Sequence, residues 1–230
     1  MTKLIADIDE VLSTTRAVRF RMDLDRPVER DVIEECLRLA QQSTMGSNLE
    51  DWRFVAVTDA GTKIRIAEIY QEVWLKTVEE PLAQGEAATV TRLAPDVRDD
   101  DESKQRQKRT LRSVKYLVDR LEQVPVLVFA CSAKPVPDTV LGNKASGYYG
   151  SIFPISWSFQ LACRSRGLGT VMATAIVYHA DKLIEVLELP EGTHPISMIP
   201  VGYSIGLNFK PAKRLPVEDI LRWERWGQND

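Results

Sequence analysis

Arg16, Arg19 and Arg21 stand within six positions of one another in the stretch TTRAVRFRMDLDRPV, residues 14–28. A guanidinium is planar, permanently charged and forked, so it matches phosphate or carboxylate oxygens two at a time. Each charge-assisted hydrogen bond of this kind is worth about 1.5–3 kcal/mol. A second basic group, Lys210, Lys213 and Arg214 in KPAKRLP, lies near the other end of the chain. Convergence of the two on one phosphate would explain both. From TRAVRFR alone, the competing reading is a set of solvated arginines on an N-terminal arm. A third polar segment, TMGSNLEDW, also falls between apolar elements.

Other motifs fail once their context is considered. GYSIG, Gly202 to Gly206, matches the nucleophile elbow of serine hydrolases. That chemistry needs a helix directly after Ser204 and a histidine further on, whereas LNFKPAKRLP follows and His179 and His194 both lie upstream. GLGTVM lacks the third glycine of a dinucleotide fingerprint and precedes a strand pattern. GNKASG is not followed by the Lys and Ser or Thr of a P-loop, and two isolated histidines make no metal site.

The bulk properties narrow the classes further. The chain has 230 residues, 44% of them apolar, enough for a substantial core. With 33 acidic and 30 basic residues the net charge is −3, so no chain-wide positive field would draw nucleic acid. No apolar run approaches the length that spans a bilayer, and the N-terminal MTKLIADIDEVLSTTR carries acids where a signal peptide has an apolar block. Cys36, Cys131 and Cys163 are widely spaced, each in an apolar run, which reads as reduced core thiols. The expectation is a cytoplasmic protein that binds neither nucleic acid nor membrane.

The elements that must position these groups follow from periodicity. Val32, Ile33, Cys36, Leu37 and Ala40 give a helix between Val28 and Gln42. WRFVAVTD is a strand, and Asp59 caps a helix to about Lys76. Residues 81–110, with two prolines and a mixed charge block, read as a solvated insertion or lid; Val114, Leu117, Val118 and Leu121 then mark a helix. VPVLVFACSA is a central strand, and KPVPDTVLGNKASGYYG a loop. SIFPISWSFQLACRSR is a helix with Pro154 in its first turn, ended by Gly167. A strand TVMATA, a helix ADKLIEVLEL and a strand ISMIPVGYSI complete the pattern. Helices interleaved with single strands predict an α+β domain of three layers, α/β/α.

With these motifs in order, the sequence resembles the FMN-dependent nitroreductase family over nearly the whole chain, least at residues 81–110. TRAVRFRMDLDRPV matches an opening of the type R-R-S-V-R followed by Pro-Val and a helix. MGSNLEDWRFVAV matches a Ser/Gly-rich turn before Trp and a strand. RGLGTVMATA matches a Gly-Leu-Gly-Thr turn, and VGYSIGLNFKPAKRLPVEDILRW matches a Gly-Tyr strand end with a basic, Pro-containing tail. The resemblance implies a single domain, residues 1–230, with a central mixed, mostly antiparallel sheet flanked by helices. It implies Arg16, Ala17 and Arg19 at the FMN phosphate and ribityl chain, with Arg214 and Lys213 closing on the phosphate. Arg21 is expected at the surface.

On the same resemblance Gly46 and Ser47 leave room for a flat ring, Asn48 offers its amide to flavin or backbone, and Met172, Ala173 and Thr174 pass beside the isoalloxazine. The family's FMN sits at the interface of a homodimer, which would make Trp223 and Trp226 interface anchors. The implied activity is reduction of a small electron-poor acceptor, a nitroaromatic or quinone, with NADPH or NADH as donor and no protein acid-base catalyst. The chain departs from the pattern at Thr15, Ala17, Thr44, Met45 and Glu50. Those departures keep open a flavin-binding or sequestering protein with little turnover. A specialised dehalogenase, flavin-fragmenting enzyme or enone reductase also stays open.

Overall fold

The computed structural model describes residues 5, 7–85, 101–139 and 142–225, with backbone only for Ser47 and Ser103. The first helix, α1 (Ile8–Thr14), is capped by Asp7, whose carboxylate accepts the Glu10 amide at 2.8 Å. α2 (Arg30–Ala40) buries Val32, Ile33, Cys36 and Ala40 along one face. A 3₁₀ turn at Gly46–Asn48 leads into β1 (Trp52–Val57). Asp59 caps α3 (Ala60–Trp74) by accepting the Thr62 amide at 2.7 Å, as its position predicted. The chain continues through a π turn into α4 (Glu80–Ala83).

The charge block expected to be an excursion opens a helix instead, α5 (Asp101–Val118). Its acids, Asp101 and Glu102, occupy the first turn, and Glu102 pairs with Arg106 one turn on at 3.8 Å. Interleaved charges of this kind support a helix at i,i+4 spacing and through its macrodipole. Residues 86–100, the remainder of the expected insertion, lie outside the described residues.

β2 (Val126–Ser132) follows, then α6 (Asn143–Ser165), then β3 (Leu168–Thr170), α7 (Ala180–Val186), β4 (His194–Tyr203) and the short α8 (Val217–Ile220). Two expectations are corrected here. α6 starts within the stretch read as a loop, so Pro154 sits in its interior and not in its first turn. The buried side chains Ala145, Tyr148, Ile152, Ile155 and Phe159 outweigh the loss of one backbone hydrogen bond at the proline. The strand expected over TVMATA is confined to Leu168–Thr170; beyond it Ala173 exchanges two hydrogen bonds with Met198, at 2.8 and 3.0 Å, before a 3₁₀ turn begins at Ala175. Gly167 has φ +80°, the left-handed helix end that its type favours.

The strands form one antiparallel sheet in the order β1-β2-β4-β3, with Phe54 opposite Ala130, Val128 opposite Ile199 and Gly169 opposite Gly202. Every residue of β2 is buried, because helices cover both faces. Leu127, Phe129 and Cys131 face α3, α5 and α7, where Ile66, Tyr70, Leu117 and Leu183 meet them. Val126, Val128 and Ala130 face α2 and α6, through Ile33, Cys36, Ile155 and Phe159. The result is the three-layer α/β/α arrangement expected from the sequence. Cys36, Cys131 and Cys163 are free and buried, and burial pushes the Cys131 thiol up to about 12. No described helix is long and apolar enough to cross a membrane.

The N-terminal arm adds to the edge of this sheet. Ala17 bridges Thr170 in parallel, the Val18 amide donates to the Thr170 carbonyl at 2.9 Å, and Met22 bridges Ser204. The arm comes this close because two facing glycines leave room for it. A methyl added at Gly169 would lie 2.7 Å from Val18 Cγ1 and 2.8 Å from Ser204 Oγ; one at Gly202 would lie 2.7 Å from Met22 Cγ. Gly169→Ala is therefore expected to lower stability by about 1–3 kcal/mol through overpacking, read as a lower denaturant midpoint. An unchanged midpoint would show that the arm is not held against the sheet.

On the α3–α7 face, Glu72 accepts from Lys182 and from Lys76 and lies 3.6 Å from His179. Its hydrogen bonds to Lys182 and Lys76 hold its carboxyl near 2, down from about 4.5. A depressed carboxyl stabilises the folded chain above its unfolded pKa, and that contribution drains away as pH falls from about 4.5 towards about 2. Denaturant midpoints measured across this window are expected to fall more steeply for the native sequence than for Glu72→Gln. The difference should shrink in high salt, since the cluster is partly exposed.

Candidate functional site

The three arginines of the arm have three different surroundings. Arg21, expected at the surface, is half-exposed there, and its guanidinium donates to the carbonyls of Ile205, Gly206 and Asn208 at 2.9, 2.8 and 3.0 Å. It also stacks on the Phe209 ring at 4.0 Å. Arg164, from the last turn of α6, lies 4.7 Å from the same ring and donates to Thr14 Oγ1 and to the Leu207 carbonyl, both at 3.0 Å. Together they pin the tail after β4 to the arm.

That arrangement brings the two basic segments together. Arg16 Nη1 donates to the Lys210 carbonyl at 3.0 Å, four residues before Arg214. Arg16, Ala17, Arg19, Arg21, Ser113 and Phe209 line a cavity of about 230 Å³. Phe20 packs on Tyr116 of α5 at 4.8 Å, so α5 forms one wall. Lys213 reaches the first turn of α5 and pairs with Glu102 at 2.8 Å, whereas Arg214 is exposed and makes no hydrogen bond or ion pair with the described residues.

Arg19 is the most informative of these groups. It is half-buried, and that burial pulls its pKa down. Among the described residues its guanidinium donates to Ser113 Oγ at 3.2 Å and makes no ion pair with a carboxylate. Buried cations are ordinarily paired, because desolvating an isolated charge costs several kcal/mol. An anion entering this cavity would find three guanidiniums, Arg16, Arg19 and Arg21, the last already given to backbone carbonyls, and no carboxylate among the described residues of the wall.

The remaining expected site residues divide between two places. Met172, Ala173 and Thr174 continue from Thr170, the residue that bridges Ala17, so they lie on the same side as the arm; Thr174 is exposed. The Gly46–Asn48 turn docks instead on the first half of α6, where the Gly46 amide donates to Ser151 Oγ at 3.1 Å. Asn48 takes the left-handed conformation, φ +52°, one that asparagine tolerates. Ser151 and Arg164 are 13 residues apart on α6, or about 20 Å. Neither Gly46 nor Asn48 is among the described residues that line the arginine cavity of the same chain. Ser204, centre of the elbow-like motif, has a buried Oγ without a hydrogen bond among the described residues, and no helix begins directly after it.

Arg164, Ser113 and Phe209 were not anticipated. The pair Arg164 and Arg166 in CRSRG was a visible signal at a helix end, but nothing local marks Ser113 or Phe209.

An antiparallel sheet between two helical layers, with an arginine-lined cavity at its edge, is the setting in which the comparisons with known proteins fall. The chain belongs to the nitroreductase family, whose model matches residues 12–203; the basic tail lies beyond that match. Iodotyrosine deiodinase of Danio rerio is 29% identical over 216 residues, spanning 92% of this chain and 62% of the relative. Iodotyrosine deiodinase 1 of Homo sapiens is 25% identical over 230 residues, spanning 96% of this chain and 67% of the relative. Among solved structures, oxidised iodotyrosine deiodinase bound to FMN and 3-iodo-L-tyrosine superposes with a TM-score of 0.68 at 19% identity, covering 95% of this chain and 99% of that one. A nitroreductase-like family protein from Bacillus cereus gives 0.62 at 20% identity, covering 96% and 98%.

Proposed function

We propose that this chain is an FMN-dependent oxidoreductase, one domain per protomer, that uses NADPH or NADH to reduce a small electron-poor acceptor such as a nitroaromatic or quinone. The observation that carries the reading is Arg19, a half-buried guanidinium with no carboxylate partner among the described residues, facing a cavity that Arg16 also lines. FMN carries a phosphate of the charge these residues lack. Arg16 and Arg19 would hold that phosphate, with Lys213 and Arg214 closing from the tail; Ala17 has no hydroxyl and can offer only its backbone. When bound, FMN supplies reversible hydride transfer, first from the nicotinamide and then to the acceptor. The chain's part is to place the ring along Met172–Thr174 and keep the phosphate end dry.

The Gly46–Asn48 turn supports a homodimer: it docks on α6 at Ser151, about 20 Å along that helix from Arg164, which meets the arm and the tail, and would serve the site of a second copy. Leu39, Leu49 and Trp157 stand exposed on α2, beside that turn and on α6, apolar surface of the kind a partner covers. Trp223 is exposed as well, and Trp226 lies outside the described residues. Three unpaired thiols fit a reducing, cytoplasmic setting.

The test is to purify the protein, record flavin absorbance, and follow anaerobic bleaching by NADPH and by NADH before adding a quinone. Bleaching and recovery support the reading. A protein that takes up no FMN on reconstitution overturns it, and a flavin that neither donor reduces turns it towards a binding protein.

A second reading, reductive dehalogenation of a small aromatic, is favoured by relatives 25–29% identical over 92–96% of this chain, the iodotyrosine deiodinases. It predicts iodide release from 3-iodo-L-tyrosine by protein whose flavin has been reduced with dithionite. No iodide under those conditions removes it.

A further inference from the structure

The face that α5 turns towards the arm and the tail carries more positive charge than one phosphate needs. We propose that it selects NADPH over NADH, with Arg109 and Arg112 holding the 2′-phosphate that alone distinguishes the two donors. The inference rests on the flavin reading and names the donor for that site. Residues 101–120 include seven basic and three acidic side chains, so α5 is a positive element on a chain of net charge −3. Glu102, Arg106, Arg109, Ser113 and Tyr116 recur at intervals of four and three, which sets them along one face of the helix. Contacts fix where that face looks. Glu102 pairs with Lys213 of the tail, Ser113 accepts from Arg19 at 3.2 Å, and Tyr116 packs on Phe20. Arg109 therefore belongs to the face that meets arm and tail, one turn or about 6 Å before Ser113. The arm bridges Thr170, so α5 stands on the side of the sheet where Met172, Ala173 and Thr174 follow.

The acids of α5 are already engaged. Glu102 is shared by Lys213 at 2.8 Å and Arg106 at 3.8 Å, and Asp119 pairs with Lys115. Arg109 and Arg112 are exposed, and neither makes a hydrogen bond or ion pair with a described residue. Lys108 and Arg112, one turn apart, are like charges whose repulsion an anion relieves. In the flavin reading Arg16 and Arg19 match the charge of the FMN phosphate, which leaves the α5 guanidiniums for a second anion. A planar fork suits the oxygens of a phosphate monoester, and arginine is the residue that accommodates a 2′-phosphate in dinucleotide sites. NADH offers a neutral hydroxyl at that place and gains nothing from the two charges.

The experiment is steady-state kinetics of the FMN-loaded protein with a quinone acceptor and each donor in turn. The kcat/KM for NADPH is expected to exceed that for NADH by at least about tenfold, by a margin that narrows as salt rises. Arg109→Gln and Arg112→Gln, at exposed positions that leave the core alone, should each lower this ratio about threefold or more, through a higher KM for NADPH. Calorimetric titration with 2′,5′-ADP should show the same weakening in both variants, and titration with 5′-AMP should not. Equal use of the two donors by the native sequence overturns the proposal and leaves the flavin reading standing. So does a ratio that neither substitution lowers. Loss of FMN affinity in Arg109→Gln would assign that arginine to the flavin phosphate and overturn the proposal too. A protein that takes up no FMN, or a flavin that neither donor reduces, overturns both.

Discussion

Replacing Arg19 by methionine is expected to weaken FMN binding by about 10- to 100-fold, the equivalent of one charge-assisted hydrogen bond. The same change should leave the melting temperature of the cofactor-free protein level or raise it. The two expectations have one origin. Arg19 is a half-buried charge whose side chain, among the described residues, hydrogen-bonds to Ser113 Oγ alone, so its partial desolvation is little compensated there. Methionine keeps the apolar stem and removes the charge. Flavin titration followed by fluorescence quenching, beside thermal unfolding of the stripped protein, measures both. Equal FMN affinity in the variant would show that the phosphate is held elsewhere.

Phe159→Ala should cost about 3–5 kcal/mol, among the largest stability losses expected from a single side chain here. Phe159 is fully buried on α6, in the cluster where α2 and α6 meet Val128 and Ile199 of the sheet. Truncation leaves a cavity between two rigid layers that cannot both close upon it. A domain of this size has only about 5–15 kcal/mol to lose. Urea unfolding is expected to show a lower midpoint at an unchanged slope; a loss below about 1 kcal/mol would mean that α6 moves to refill the space.

Much of this fold was legible where side-chain spacing and capping agreed. α2 and α3 follow from their apolar periodicity and from Asp59, and β2 from an unbroken apolar run behind Pro125. α1 was missed although Asp7 and Glu10 stand at the spacing of a capping box. The early half of α6 was missed because Gly142, Gly147, Gly150 and Pro154 punctuate it, while Ala145, Tyr148, Ile152 and Phe159 keep a helical period through them. In α5 the apolar period begins only near Val114, so its first turns show in the sequence as ion-pair spacing alone. The arginine cavity was half visible: Arg16 and Arg19 declared themselves by chemistry. Ser113, Arg164 and Phe209 join them only through tertiary contacts that no local window contains.

The clasp between arm and tail joins groups as much as 194 positions apart in the chain. Contacts that span so much polymer form last, because nearly all the intervening chain must already be ordered before they become favourable. The same contacts lie at the margin of the sheet, where they can open while the interior stays intact. Amide exchange in residues 16–22 and 205–210 should then proceed faster than in β2. A ligand that bridges these ends would slow that exchange in proportion to its concentration, turning ligand supply into a regulator of the protein's resistance to proteolysis.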